Sequence, residues 1–561
     1  MSLPLWTHVA VFATLLVLLI PGMEVDRAGW IDDEGLYGLQ VEALEEGAWA
    51  YEYDGASFGH EDDSFPLLRA ERGADGAVYP YVRHPAYPLA LKLTADVFGS
   101  GAGVYVLPLL GLVLAAVSGW FLAAGADRRS AVVAFWLVAV SPLLVNGYVI
   151  WAHTLSAATA GLALVAAVRI VRRGLSIRDA GTLAACAAVG VLLRSEMVLF
   201  AVALALGLGF VLVRSGRVRE AAITLPLILL PMGLTVLGEM RWIHAIVGVP
   251  QGLPESRFHP GGRSFGSLAA DRARATWRVL FDSGDVASRL ELFVMIALAA
   301  LVIGGLTLRV RDPSHAPVVL VALGGTALVA LLLYRARFAD APLDAASGLF
   351  AAWPIVLLGL VAMPWKQTTD TERLVVAVVL LFAGAVFATQ YEVGGGSEWG
   401  GRFLSPVVAP MATLVAIGLC RRLVDHRWRG RWAAVAMLAA VAVYPATRGL
   451  EAIATGRRFV SVLAGEAVSV SSPVLVVGHP DLNSLPLWAW RTHDEVAWLV
   501  PKAGSLGPLL ATLGRSGIPR VTVIVRADQP LPPSPYRLVA NMTGPWTQEH
   551  SLWRVLELHR P

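Results

Sequence analysis

Trp30-Ile31-Asp32-Asp33-Glu34-Gly35-Leu36-Tyr37 follows the first hydrophobic segment almost directly and sets three consecutive carboxylates at what would be a membrane surface. A helix boundary asks for one cap, and a single Asp supplies it. The remaining acids belong either to a solvated loop or to a site of chemistry. The rest of the sequence weighs on that choice.

The chain has 561 residues, 56% of them hydrophobic and 16% charged, with mean hydropathy +0.62. Apolar runs long enough to cross a bilayer recur along it, which implies an all-α polytopic membrane protein. The net charge of +3 gives no reason to expect a nucleic-acid partner. Cys186 and Cys420 both fall in or at the end of apolar runs, which excludes a disulfide framework and a Cys-based metal site.

The first run, 5–21, lacks a basic leader and a small-residue cleavage site and reads as a retained helix. Residues 22–102 form a long first loop with sixteen Asp/Glu against five Lys/Arg. In that loop Tyr37, Val41 and Leu44, and later Leu89, Leu93 and Val97, recur at helical spacing, which predicts two amphipathic helices at the interface. Further spans are expected at 104–124, 131–149, 152–171, 180–193, 196–213, 222–240, 290–308, 317–334, 348–363, 373–390, 404–420 and 432–446, about thirteen transmembrane helices in all. With the amino terminus cytoplasmic, short inner loops carry seventeen basic residues and short outer loops four. The 241–289 loop, outside in this topology, runs against the rule with seven Arg. Merging 180–213 into one helix would move that loop inside, but such a helix would run about 51 Å and bury Arg194 and Glu196.

Residues 1–450 thus form a transmembrane domain. Residues 455–561 read as a small extracytoplasmic α/β domain, with strands near 473–478, 520–526 and 552–558 and a helix at 506–513.

Four features meet on the outer side in this topology. They are Asp33-Glu34 with Tyr37; the stiff aromatic strap Tyr79-Pro-Tyr-Val-Arg-His84-Pro85-Ala-Tyr87-Pro88; Arg194-Ser195-Glu196; and Tyr391-Glu-Val-Gly-Gly-Gly-Ser-Glu398-Trp399-Gly-Gly-Arg402. An interfacial Arg suits a lipid phosphate, glycines let the backbone approach a ligand, and a carboxylate can take a proton from an attacking hydroxyl. Such a set fits sugar transfer from a lipid-phosphate donor. His60-Glu61-Asp62-Asp63 would suit a divalent metal, though a solvated acidic loop explains it as well.

These motifs resemble those of the GT-C superfamily of membrane glycosyltransferases, which includes protein O-mannosyltransferases and lipid A aminoarabinose transferases. The likeness rests on Asp33-Glu34-Gly-Leu-Tyr37 after the first helix, His84-Pro85 closing the first outer loop, Gly400-Gly-Arg402-Phe-Leu before a late helix, and Arg194-Ser-Glu196. It implies a multi-pass cell-membrane enzyme with its active site and carboxy-terminal domain extracytoplasmic. It implies Asp33 as the base, with Asp32 and Glu34 as rivals. Substrate contacts are expected from Glu34, Tyr37, His84, Arg194, Glu196, Trp399 and Arg402. The implied partners are a polyprenyl-phosphate sugar and a glycan, lipid or protein acceptor. Two other readings compete. One is a lipid-linked oligosaccharide flippase or transporter, for which internal repeats and mid-membrane polar groups are missing. The other is an oligosaccharide polymerase or ligase using His259, Arg263, Arg272 and Arg274.

Overall fold

The computed structural model describes residues 3–52, 71–73, 77–248, 265–281, 324, 348–363, 365–389, 399–421, 431–469, 472–501, 505–542 and 553–561. Apolar runs become helices because in lipid every backbone N–H and C=O needs an internal partner. The amino-terminal run forms α1 (Leu5–Leu19), prolonged by a 3-10 turn at Ile20–Met23. The acidic triplet then starts α2 (Asp32–Glu45), where three carboxylates in the first turn complement the helix dipole. Gly47, at φ 85°, follows its end. Helix α3 is Ala86–Phe98.

The sequence predicts both loop helices at the interface. Helix α3 has the two faces of an amphipathic helix: Tyr87, Leu91 and Ala95 are buried while Leu93, Val97 and Phe98 stand exposed. Helix α2 does not, since its buried residues run from Glu34 to Leu44 almost without a break. It is covered on both sides, by the bundle and by the carboxy-terminal domain.

The bundle continues with α4 (Val106–Ala123), α5 (Arg128–Ala139), α6 (Pro142–Asn146), α7 (His153–Arg173), α8 (Ile177–Leu193), α9 (Glu196–Arg214), α10 (Val218–Val247) and α11 (Phe265–Phe281). Helices α12 (Leu349–Ala352), α13 (Ile355–Ala362), α14 (Asp370–Thr389), α15 (Val408–Leu419) and α16 (Arg431–Ser469) complete it. Close approach of α4 and α7 depends on glycine. A Cβ on Gly161 would lie 2.0 Å from Ser118 Oγ, and one on Gly111 2.5 Å from the Leu155 nitrogen.

Among the described residues, seven helices are long and apolar enough to span a membrane. The expected spans at 290–308 and 317–334 lie outside those residues except for residue 324. Two others are broken by proline. The 131–149 run splits at Ser141-Pro142, where Pro142 supplies no N–H and Ser141 Oγ caps the new helix at Leu143. The 348–363 run splits at Trp353-Pro354. Two helices outrun expectation: α10 reaches Val247 instead of 240, and α16 reaches Ser469 instead of 446. At 39 residues α16 is about 58 Å long, nearly twice a bilayer core. The first strand of the tail follows it at Val474.

The first loop holds a two-stranded ladder, β1 (Glu71–Arg72) with β2 (Val78–Tyr79). The tail folds as a five-stranded sheet of β3 (Val474–Val477), β4 (Ala497–Leu499), β5 (Arg520–Arg526), β6 (Arg537–Met542) and β7 (Trp553–His559), with α17 (Leu485–Trp488) and α18 (Leu506–Arg515). The order is β4-β3-β5-β7-β6; β3 runs parallel to both neighbours and β7 antiparallel to both of its own. Alternation along β3 shows how the sheet is used. Val474 and Val476 pack with Leu510 of α18, whereas Leu475 and Val477 join the main core shared with the bundle. The three expected strands and the helix are present. Strand β4 has only three residues, and β6 exposes Leu538 and Val539, so neither shows a clear pattern in sequence.

Candidate active site

Successive residues on a helix project about 100° apart, so the three acids opening α2 cannot share a direction. Asp32 faces the tail domain, where Trp488 Nε1 donates to its Oδ1 at 3.0 Å. Around it that domain docks closely on α2. The Gly29 N–H donates to the Trp488 carbonyl at 2.6 Å, and a Cβ on Gly35 would fall 2.1 Å from the Leu487 carbonyl oxygen. Glu34 faces inward, and its side chain is fully buried. Its Oε1 accepts from Arg457 Nη2 at 2.7 Å, Tyr105 Oη at 3.3 Å and the Ile150 N–H at 3.1 Å, while its Oε2 takes the Trp30 N–H. Arg457 is equally buried and also donates to the carbonyls of Met23 and Tyr148. With its oxygens engaged inside the protein, Glu34 is an interior anchor.

Asp33 takes the third direction and accepts from Arg402 Nη1 at 3.0 Å; the two side chains keep 24% and 15% of their exposure. Arg402 is delivered by Gly400 and Gly401, both left-handed at φ 73° and 62°. Neither tolerates a side chain. A Cβ at Gly400 would meet Pro142 Cβ at 2.2 Å, and one at Gly401 the Val279 carbonyl at 2.8 Å. The guanidinium lies over the rings of Trp151 and Phe403, 5.4 and 4.9 Å from their centroids. Trp399 is 1% exposed and packs where Gly449 of α16 leaves room. The preceding 391–398 lies outside the described residues.

At the α8–α9 junction Arg194 holds Glu196 in a two-pronged pair, Nε to Oε2 at 3.1 Å and Nη2 to Oε1 at 2.8 Å. His84 Nδ1 lies 3.1 Å from Glu239 Oε1, both side chains about nine-tenths buried. Glu239 lies near the end of α10, and beyond it Ile243 and Val247 of the same helix pack with Tyr79 and Val82. The strap itself is pinned to α2 by Gln40, whose Oε1 accepts from the Tyr81 N–H at 3.0 Å. The Tyr37 and Tyr81 rings sit 4.0 Å apart, with Tyr87 edge-on to Tyr37 at 5.1 Å. Burial pushes the pKa of all three phenols up, so each is a neutral hydroxyl at physiological pH. Tyr81 is within electrostatic reach of both Arg194 and Asp33.

Asp33, Tyr37, His84, Arg194, Glu196 and Arg402 therefore gather at one end of the bundle. Tyr81 of the aromatic strap joins them, as do Trp151, His153, Glu239 and Arg457, which were not singled out from sequence. Glu239 left a signal, an acid within an apolar run. The His153 ring, 2% exposed and edge-on to Trp151 at 4.6 Å, is within electrostatic reach of both Arg194 and Arg402. Two guanidiniums, neutral phenols and one partly exposed carboxylate make a setting for an anion beside a proton acceptor. Among the described residues no three His, Cys, Asp or Glu come together as a metal site; His60–Asp63 lies outside them.

No protein-family model matches the chain, and no curated protein matches it. Among solved structures, ArnT from Cupriavidus metallidurans bound to undecaprenyl phosphate is similar at 14% identity and TM-score 0.53, over 99% of this chain and 98% of its own. The same protein in the apo state is similar at 14% identity and TM-score 0.52, over 98% of each chain. The likeness is one of fold.

Proposed function

We propose that the chain is an integral-membrane glycosyltransferase that moves a sugar from a polyprenyl-phosphate donor to a hydroxyl of an extracytoplasmic glycan, lipid or protein. The Asp33–Arg402 pair carries this reading, as a base and a phosphate-binding cation held in contact at one end of a membrane bundle. A solved structure of the same fold binds undecaprenyl phosphate, which supports the donor class.

In this mechanism the donor's prenyl tail stays in lipid and its phosphate meets Arg402, with Arg194 nearby. The guanidinium turns towards the phosphate and frees Asp33. The acceptor oxygen attacks the anomeric carbon as the carbon–oxygen bond to phosphate breaks. The acceptor's proton passes to an Asp33 Oδ, and the departing polyprenyl phosphate is stabilised by the cations. Glu34 and Asp32 hold α2 in place, and Tyr37, Tyr81 and His84 shape the sugar site.

Asp33→Asn tests the proposal. It keeps size and polarity but takes no proton, so transfer should fall by about two to four orders of magnitude while the folded protein still binds polyprenyl phosphate. Asp32→Asn should cost far less. Near-normal turnover in Asp33→Asn would overturn the assignment, and indifference to both would favour a transporter.

A further inference from the structure

Helices α4 and α7 run from the candidate active site to the other end of the bundle. Tyr105, just before α4, and His153, opening α7, stand at the site; Phe121 and Arg172 follow sixteen and nineteen residues later. At 1.5 Å per residue these separations are about 24 and 28 Å, close to the thickness of a bilayer's hydrocarbon core. At that far end lies a second cavity of about 620 Å³, bounded by the ends of α4 and α7 and the start of α8.

Its chemistry is two-sided. Phe121 and Val168 form an apolar wall, with Phe121 42% exposed on the outside of the bundle. Arg169, Arg172, Arg173 and Arg178 supply the cations of the lining. Asp179 is the acid in the lining, and it is engaged locally: Ser176 Oγ donates to it at 2.6 Å, and Arg169 Nη1 lies 3.8 Å away. Among the described residues no carboxylate pairs with Arg173 or Arg178. The Arg172 guanidinium lies against Gly125, in the space a side chain there would need, with Nη2 3.5 Å from Thr371 Oγ1. Charge bias alone puts Arg on loops of one membrane side. It does not build a concavity with an apolar wall at the depth of the headgroups.

We propose that this cavity binds the headgroup of an anionic glycerophospholipid from the leaflet opposite the active site. The phosphate would sit among Arg172, Arg173 and Arg178, with the acyl chains against Phe121. The purified full-length protein, examined by native mass spectrometry with phosphatidylglycerol or phosphatidylcholine of identical chains, tests this. Wild type should retain phosphatidylglycerol in preference. Arg173→Gln/Arg178→Gln should reduce that retention by roughly tenfold, two surface cations being removed, while Arg173→Lys/Arg178→Lys keeps most of it. Arg402→Ala should leave this retention unchanged, which separates it from the proposed donor site. Equal retention of both lipids, or an undiminished signal in the Gln variant with an unaltered melting temperature, would overturn the proposal. Displacement by glycerol 3-phosphate at matched concentration would also overturn it, since the site would then take a soluble anion.

Discussion

Asp33 and Arg402 stand 369 residues apart in the chain and meet at 3.0 Å, one from the first turn of a helix and the other from a turn that two left-handed glycines impose. The next residue makes a contrasting pair. Glu34 and Arg457 meet at 2.7 Å with neither side chain exposed. Neighbouring acids on one helix thus enter two ion pairs, one open to solvent and one sealed. An open pair exchanges partners readily, whereas a sealed pair would leave a buried charge behind.

The open pair gives the first prediction. Arg402→Ala should weaken binding of polyprenyl phosphate roughly ten- to a hundredfold, the usual worth of a charge-assisted hydrogen bond. Arg402→Lys should restore part of this, since an ammonium lacks the planar fork. Equilibrium binding of the lipid phosphate to the purified protein measures both, and an unchanged affinity in Arg402→Ala removes the residue from the site.

The sealed pair gives the second. Glu34→Gln leaves the Arg457 cation buried without a counter-charge, a loss of about 3–5 kcal/mol. The melting temperature in detergent should drop clearly, and Glu34→Gln/Arg457→Met should recover much of the loss. An unshifted melt in the single variant would show that the pair does not hold the fold.

Sequence exposed the chemistry of the site better than its connections. Asp33-Glu34, His84-Pro85 and Gly400-Gly-Arg402 are legible because short-range constraints write them: a helix start, a rigid turn, and glycines that alone accept φ above zero. That Glu34 serves Arg457 is not legible, because the partner sits in a stretch whose charge and Gly456 read as the start of the tail. Nor is the room that Gly449 of α16 leaves for Trp399. The split spans at Pro142 and Pro354 carry visible prolines, yet hydropathy averaged over a span hides a break of one or two residues.

Topology is the third prediction. In a background lacking Cys186 and Cys420, a cysteine at position 483 of the tail domain should react with an impermeant maleimide in intact cells. One at position 177, where Ile177 is 95% exposed beside the second cavity, should react only after permeabilisation. The expectation rests on the basic bias of the short loops. The reverse pattern would put the active site in the cytoplasm.

The last prediction concerns pH at the seam between α2 and the tail domain. Glu42 lies there, and its carboxyl pKa is raised from 4.5 to about 8. Burial is the main cause; Asp494, Glu45 and Glu46 add to it and Arg491 opposes them. Its buried Oε2 has no hydrogen-bond partner among the described residues, as suits a neutral acid. A carboxyl whose folded pKa lies above its unfolded one favours the folded state below the unfolded value, and that advantage is lost as pH rises. The window here runs from about pH 4.5 to about 8. Wild type should therefore lose stability across it, on the order of 2–4 kcal/mol. Glu42→Gln, which mimics the protonated form, should melt with wild type at pH 5 and several degrees above it at pH 9. Parallel melting curves for the two proteins at all pH values would mean that Glu42 ionises freely and that the seam does not sense pH through it.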